Sequence, residues 1–106
     1  MDIKIEAIQH QNQEQLRDYY EGKLQEKYGN YDFIKSIDVK VVNEKNDMRR
    51  VSLQIKPEKG TMLYATHSAI NENKALTEVI RKMNTQMEKY KEVHYHGRSK
   101  NSIKNQ

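Results

Sequence analysis

Lysine and arginine side chains are concentrated in and around the last periodic stretch of the sequence, from Asn71 to Val93. Ammonium and guanidinium groups bind phosphates through charge-assisted hydrogen bonds, so a cluster of them is typical of a surface that binds a polyanion. A solvated helix face without a ligand is the alternative interpretation. The cations of the stretch and those before and after it form a predicted line, namely Arg49, Arg50, Lys74, Arg81, Lys82, Lys89, Lys91, Arg98, Lys100 and Lys104.

The charge of the chain is unevenly distributed. Residues 1–47 contain seven Lys or Arg against ten Asp or Glu, a net of −3, and residues 48–106 contain twelve against five, a net of +7. Because clustered cations create a local potential that the same charges spread evenly would not, this distribution favours an anionic partner such as nucleic acid. Composition alone leaves RNA and DNA open.

Residues that could catalyse a reaction or bind a metal do not form a recognisable group. Of the four histidines only His94 and His96 are close in sequence, and they fall in a predicted tail. His67 beside Ser68 is expected to be a surface residue at a strand end. The absence of cysteine excludes thiolate metal sites, cysteine nucleophiles and disulfides. We therefore predict a protein that is not an enzyme and has neither a cofactor nor a metal site.

Two stretches have the spacing of three and four residues that predicts a helix with one buried face. The stretch 71–93 is the second of them, and its spaced apolar residues are Leu76, Val79, Ile80, Met83, Met87 and Tyr90. The first covers residues 11–30, with Asn12 as the expected N-cap and with Leu16, Tyr19, Tyr20, Leu24 and Tyr28 on its apolar face.

Four other segments alternate between apolar and polar residues and predict strands over 2–8, 33–43, 48–56 and 61–66. Strict alternation places Ile34 and Val42 on the face opposite Ile37. A helix between the first two strands implies that they are parallel, and short links between the others imply an antiparallel meander.

The predicted fold class is α+β, with the order strand-helix-strand-strand-strand-helix and a four-stranded mixed sheet. Each helix has only one apolar stripe, so both should pack on one face of the sheet. We expect one domain over residues 1–93 and a flexible basic C-terminal tail over residues 94–106. The open face should carry Lys4, Lys40, Arg50, Ser52, Gln54, Lys56, Tyr64 and Thr66.

Residues 63–91, LYATHSAINENKALTEVIRKMNTQMEKYK, resemble the last strand, acidic turn and final helix of the ribosome hibernation promoting factor family. This family is also called ribosome-associated inhibitors or sigma-54 modulation proteins. The opening IKIEAI and the helix LRDYYEGKLQEKYGNYDFI are similar as well, with Leu16, Tyr19 and Leu24 at first-helix core positions. The family's final-helix pattern is carried by Lys82, Met83, Gln86, Met87, Lys89 and Lys91.

The sequence has no run of eighteen apolar residues and no charged-then-apolar leader, which predicts a cytoplasmic protein without a membrane partner. The resemblance implies a short-form protein that binds the mRNA and tRNA cleft of the small ribosomal subunit and inhibits translation under stress. We expect ribosomal RNA as the partner, no small-molecule substrate, and a monomer in the free state. The alternatives are a protein-interaction module that uses the open sheet face and a general double-stranded RNA-binding domain. The implied RNA-binding residues are Lys82, Lys89, Lys91, Lys74, Arg81, Lys23 and Lys27.

Overall fold

The computed structural model describes the backbone of residues 1–7 and 13–103 and the side chains of residues 1–7 and 14–95. Asn12, the predicted N-cap, lies outside these residues. The described helices include none that is both long and apolar enough to cross a membrane. A short 3₁₀ turn at Lys45–Asp47 joins the second and third strands. In chain order the elements are β1 (Asp2–Ala7), α1 (Gln13–Tyr28), β2 (Ile34–Asn43), β3 (Arg49–Pro57), β4 (Leu63–Ala69) and α2 (Glu72–Ile103).

The four strands form one mixed sheet in the spatial order β1-β2-β3-β4. β1 runs parallel to β2, whereas the pairs β2 with β3 and β3 with β4 are antiparallel. The parallel pair is joined through α1, because parallel neighbours need a crossover connection and antiparallel neighbours need only a turn. The predicted fold class and element order are confirmed.

The core lies between one face of the sheet and the facing stripes of both helices. In α1 the buried residues recur every four positions, at Leu16, Tyr20, Leu24 and Tyr28. The hydroxyl of Tyr20 donates a hydrogen bond to the backbone oxygen of Glu72 at 2.8 Å, which joins α1 to the start of α2. Burial, with a smaller effect of Glu72, raises the pKa of Tyr20, so the hydroxyl remains a donor at neutral pH.

Two side chains lie elsewhere than predicted. Ile34 was expected on the open face but is only 4% exposed, because the β2–β3 register shifts between Ile34 and Ser36. This irregularity allows Ile34 and Ile37, three residues apart, to face the same core. Tyr19 was expected in the core but is 48% exposed, because the four-residue spacing of its neighbours fills the contact face and leaves Tyr19 on its flank.

Two element boundaries also differ. β4 begins and ends later than the predicted 61–66 and pairs with β3 from Leu63 to Ala69. α2 does not end at Val93 but continues to Ile103. His94 and Tyr95 still pack on the domain. The Tyr95 ring stacks on Phe33 with centroids 5.6 Å apart, and dihedral angles at Tyr95 are non-helical. The flexibility of residues 94–106 stays a prediction, and the side chains of His96, Arg98, Lys100 and Lys104 lie outside the described part.

Side chains of α2 cover the outer edge of β4. An edge strand exposes backbone N–H and C=O groups that lack a neighbouring strand. The side-chain Oε1 of Gln86 accepts a hydrogen bond from the backbone N–H of Tyr64 at 3.2 Å, and its Nε2 donates to the backbone oxygen of the same residue. Lys82 Nζ donates to the backbone oxygen of Thr66 at 2.9 Å. These bonds fix the position of α2 along β4.

Candidate nucleic-acid interface

A groove of about 290 Å³ runs between α1 and α2 and contains three of the predicted RNA-binding residues. Lys23 and Lys27 line it from α1, and Arg81 lines it from α2. Neither lysine has a carboxylate within ion-pair distance among the described side chains, and Lys23 lies 5.9 Å from the ring centroid of Tyr19. Two of these three cations are therefore free to meet an anion.

The sequence of α1 directs two of its three positive charges toward this groove. Lys23 and Lys27 are one turn apart, beside the core face that α1 turns to the sheet and α2. Three of the four acidic residues of α1 are Glu14, Asp18 and Glu21, whose spacing of four and three places them together on another side of the helix. The negative charge of α1 therefore lies mostly away from the groove.

Arg81 is a highly exposed charged side chain of the groove. Its Nη2 lies 3.5 Å from Oε2 of Glu78, and the Arg81 side chain is 74% exposed. An ion pair this exposed contributes little stability, because water screens it and both side chains lose rotamer freedom. The guanidinium can therefore exchange Glu78 for a phosphate at small cost.

Lys82 and Lys89 lie on the flank of α2 that faces the edge of β4. They are seven residues apart, two helical turns, and so share one side of the helix. Lys82 already donates one hydrogen bond to Thr66, which leaves two of its three ammonium protons for another acceptor. Lys89 is exposed and makes no ion pair with the described side chains.

Lys91 lies on the opposite flank, because nine residues from Lys82 correspond to two and a half turns. Its Nζ lies 3.3 Å from Oε2 of Glu88 and 5.3 Å from the ring centroid of Tyr31. The Lys91 side chain is 30% exposed. Among the predicted RNA-binding lysines of α2, it alone is close to both a carboxylate and an aromatic ring within the described part of the chain. It is seven residues beyond Asn84 and extends the groove side of the helix.

Lys74 lies in the first turn of α2. Asn71 caps this helix, since its Oδ1 accepts a hydrogen bond from the backbone N–H of Lys74 at 2.8 Å. The Lys74 side chain lines a shallow depression with His67 and Glu78. Lys74 and Arg81 are seven residues apart and therefore lie on the same outer ridge of the helix.

Arg49 and Arg50 do not continue the predicted line of free cations. Arg49 Nε lies 3.7 Å from Oε2 of Glu72. Arg50 is paired with Glu44, whose carboxylate also accepts a hydrogen bond from the hydroxyl of Ser68 at 2.8 Å. The bonds from Arg50 and then Ser68 lower the pKa of Glu44 below its ordinary value, so the pair stays charged at neutral pH.

The opposite face of the sheet is open, as predicted, but its charges alternate. Lys4 is the cross-strand neighbour of Asp38, and Glu6 is the neighbour of Lys40. All four are exposed, and their charges cancel. A long polyanion is therefore attracted more strongly to the helix side of the molecule than to this face.

Two groove residues, Thr77 and Asn84, were not predicted from the sequence, and they offer a hydroxyl and an amide beside Arg81. They are seven residues apart with Ile80 between them, so a helical projection would have placed all three on one side. The role of Gln86 needed the structure, because no local pattern shows which strand forms the edge of the sheet.

The fold resembles those of proteins with solved structures. The structure of a ribosomal subunit interface protein from Coxiella burnetii superposes with a TM-score of 0.75 at 24% identity, over 86% of this chain and 98% of that one. The Protein Y N-terminal domain from Thermus thermophilus superposes with a TM-score of 0.70 at 18% identity, over 85% of this chain and 99% of that one. These likenesses show the fold.

No curated protein matches the chain in sequence. The model of one family does match it, from residue 3 to residue 94. That family is described as sigma 54 modulation protein / S30EA ribosomal protein. Since the match spans most of the sequence and nearly all of the α+β domain with described side chains, the chain belongs to the sigma 54 modulation protein / S30EA ribosomal protein family.

Proposed function

We propose that this protein is a non-enzymatic, cytoplasmic factor that binds the small ribosomal subunit in its mRNA and tRNA cleft and inhibits translation under stress. The observation that carries the proposal is the groove between α1 and α2, where Lys23 and Lys27 have no carboxylate partner among the described side chains. Membership of a family described as ribosomal supports the choice of ribosomal RNA as the polyanion.

The arrangement of the cations suits an RNA backbone rather than a single phosphate. Lys23, Lys27 and Arg81 lie in the groove, Lys74 lies further along the outer ridge of α2, and Lys82 and Lys89 lie on its β4 flank. An RNA strand that crosses α2 would meet phosphate-binding groups on both flanks of the helix. The affinity should therefore fall steeply with salt, because each neutralised phosphate releases counterions.

The groove lysines without a carboxylate partner among the described side chains favour this function over a protein-interaction module that uses the open sheet face with the lysines merely solvated. The two hypotheses differ in their response to charge reversal in the groove. Ribosome binding requires the groove lysines, whereas binding through the sheet face does not. A competition experiment distinguishes the third hypothesis, a general double-stranded RNA-binding domain. If that hypothesis were correct, a plain RNA duplex would displace the protein from ribosomes.

Sedimentation with isolated small ribosomal subunits over a range of salt concentrations tests the proposal, together with translation in a cell-free system. We expect co-sedimentation at low salt, a log-log salt slope of about −0.7 per phosphate contact, and inhibition of translation by the same protein. Absence of association at low salt would refute the proposal. The free protein should sediment as a monomer.

A further inference from the structure

The open face of the sheet contains one cross-strand row with an unusual composition. The strand registers place Lys4 beside Asp38, Asp38 beside Gln54, and Gln54 beside Tyr64. All four line one open depression of about 370 Å³. With strands about 4.8 Å apart, the row extends about 14 Å from β1 to β4. It therefore presents a cation, a carboxylate, an amide and an aromatic ring in order.

The ring of Tyr64 is held across the sheet rather than upright on its own strand. Its hydroxyl donates to Oγ of Ser52 on β3 at 3.4 Å, although the direct neighbour of Ser52 is Thr66. The backbone of Tyr64 is fixed from the other side by Gln86. The residue is nevertheless 49% exposed, so an oriented aromatic surface faces the solvent.

The polar groups of the row are free to bind a ligand. Within the described part of the chain, Asp38 and Gln54 make no side-chain hydrogen bond or ion pair, and Asp38 is exposed. A carboxylate accepts two adjacent N–H donors, and an amide N–H₂ donates to a carbonyl oxygen. Guanine alone among the RNA bases presents two N–H donors and a carbonyl oxygen side by side on its Watson–Crick edge.

We propose that the row from Asp38 to Tyr64 binds one unpaired guanine of a single RNA strand. The base stacks on Tyr64, N1–H and N2–H donate to Asp38, and Gln54 donates to O6. Base stacking on aromatic side chains combined with hydrogen bonds to the Watson–Crick edge is a common basis of RNA recognition on open sheets. Lys4 lies behind Asp38 and offsets the repulsion between its carboxylate and the phosphates of the strand.

The rest of the nucleotide leaves the row over the edge of β4. The sugar is attached to the side of the base opposite its Watson–Crick edge, so it points away from Asp38 and past Tyr64. Lys82 lies at this edge, bonded to Thr66, and Lys89 lies two turns further along the same flank of α2. The depression is open and shallow, whereas pockets for free small ligands enclose most of the ligand. This favours a nucleotide within a strand.

The inference goes beyond the proposed function, because it concerns the face of the sheet opposite the groove. The probe is a fluorescently labelled pentamer, UUGUU, compared with UUAUU, UUCUU and UUUUU by anisotropy, with amide chemical shifts of the full chain as a second measurement. We expect UUGUU to bind about tenfold more tightly than UUAUU and to shift the amide signals of Gln54 and Tyr64.

Three variants sharpen the test. Tyr64→Ala should weaken binding of every pentamer about tenfold, while Tyr64→Phe keeps the ring, loses only the hydrogen bond to Ser52 and should weaken binding less than Tyr64→Ala. Asp38→Asn should abolish the preference for guanine over adenine. The groove variant Lys23→Glu/Lys27→Glu, which addresses the ribosome proposal, should leave the ratio of UUGUU to UUAUU affinity unchanged.

The two proposals fail separately. Equal affinities for the four pentamers, or a guanine preference that survives Asp38→Asn, would overturn the inference whether or not the protein binds ribosomes. An unaltered guanine preference together with no ribosome association would leave the row as a binding site and remove the proposed function. Folding of each variant is checked by circular dichroism, and Tyr64 and Asp38 are exposed, so neither substitution opens the core.

Discussion

Lys82 and Lys91 lie on opposite flanks of α2, although both were expected at one interface with RNA. Lys82 faces the edge of β4, where it bonds to Thr66, and Lys91 faces the loop that carries Tyr31. One strand of RNA can contact both only if it crosses the outer ridge of the helix. Variants that change the net charge equally, but at different lysines, should therefore differ in how strongly they weaken ribosome association.

Reversal of charge in the groove should weaken ribosome association strongly. The double variant Lys23→Glu/Lys27→Glu introduces repulsion where the proposal places phosphates, and we expect at least a tenfold loss of affinity for small subunits at low salt. Its matched control is Lys35→Glu/Lys45→Glu, which changes the net charge equally at two exposed residues away from the groove. Equal losses in the two variants would contradict a specific groove.

Single truncations should distinguish Lys89 from Lys91. Lys89→Ala should make the log-log salt slope of ribosome association less steep by about 0.7, because it removes one unengaged cation. Lys91→Ala should change the slope less, since this lysine is already close to Glu88 and Tyr31. Sedimentation at four or more salt concentrations measures both slopes, and a larger change for Lys91 would reverse our ranking.

Gln86→Ala should weaken the protection of the sheet edge. The backbone N–H and C=O of Tyr64 lose their partner, and we expect a loss of about 1 kcal/mol in the free energy of unfolding. The exposed edge should also increase self-association at high concentration. Urea unfolding and analytical ultracentrifugation measure the two effects, with Thr85→Ala on the exposed side of α2 as control. If Gln86→Ala changed neither stability nor self-association, the edge of β4 would not need the hydrogen bonds of Gln86 for its protection.

The same substitution at two buried tyrosines should have different effects. Tyr20→Phe removes the hydrogen bond to Glu72 and should lower the free energy of unfolding by about 1 kcal/mol. Tyr28→Phe removes a buried hydroxyl that has no partner among the described residues, so stability should be unchanged or higher by up to about 1 kcal/mol. Denaturant titration of both variants compares them. A greater loss for Tyr28→Phe would reveal a missing partner of its hydroxyl.

Alanine should stabilise at one glycine and destabilise at another. Gly22 lies within α1, and a methyl group at its Cα would have no packing neighbour within 4 Å, so Gly22→Ala should gain about 0.5 to 1 kcal/mol. Gly60 has a φ of +77°, and a Cβ there would lie 2.9 Å from Nε2 of His94, so Gly60→Ala should lose more than about 1 kcal/mol. Thermal unfolding measures the sign of the stability change for each variant. Increased stability of Gly60→Ala as well as Gly22→Ala would contradict the turn geometry at Gly60.

The periodicity of the sequence was sufficient for the element order, the sheet topology and most of the core. It failed where one residue changed the register. Ile34 is in the core because of the irregularity before Ser36, and no local pattern indicates such a shift. Tyr19 and Tyr20 are adjacent aromatic residues with similar propensities, and only the fit of α1 against the sheet selects Tyr20 for burial.

The candidate site was predicted less completely than the fold. Sequence placed the cations on helices, but a group such as Lys23, Lys27 and Arg81 depends on how α1 packs beside α2. The pairing of Arg50 with Glu44 could not be read from the sequence either, because the two meet across a turn that contains left-handed residues at Asn46 and Asp47. Tertiary packing therefore decides which cations remain free.

The separation of charge around α1 gives the molecule an electric dipole moment. Glu14, Asp18 and Glu21 lie on one side of the helix, while Lys23 and Lys27 face the groove. In the field of a distant polyanion such a dipole experiences a torque, which turns the groove forward before the surfaces touch. The acidic residues of α1 would then raise the fraction of collisions that are productive, although they make no contact with the polyanion themselves.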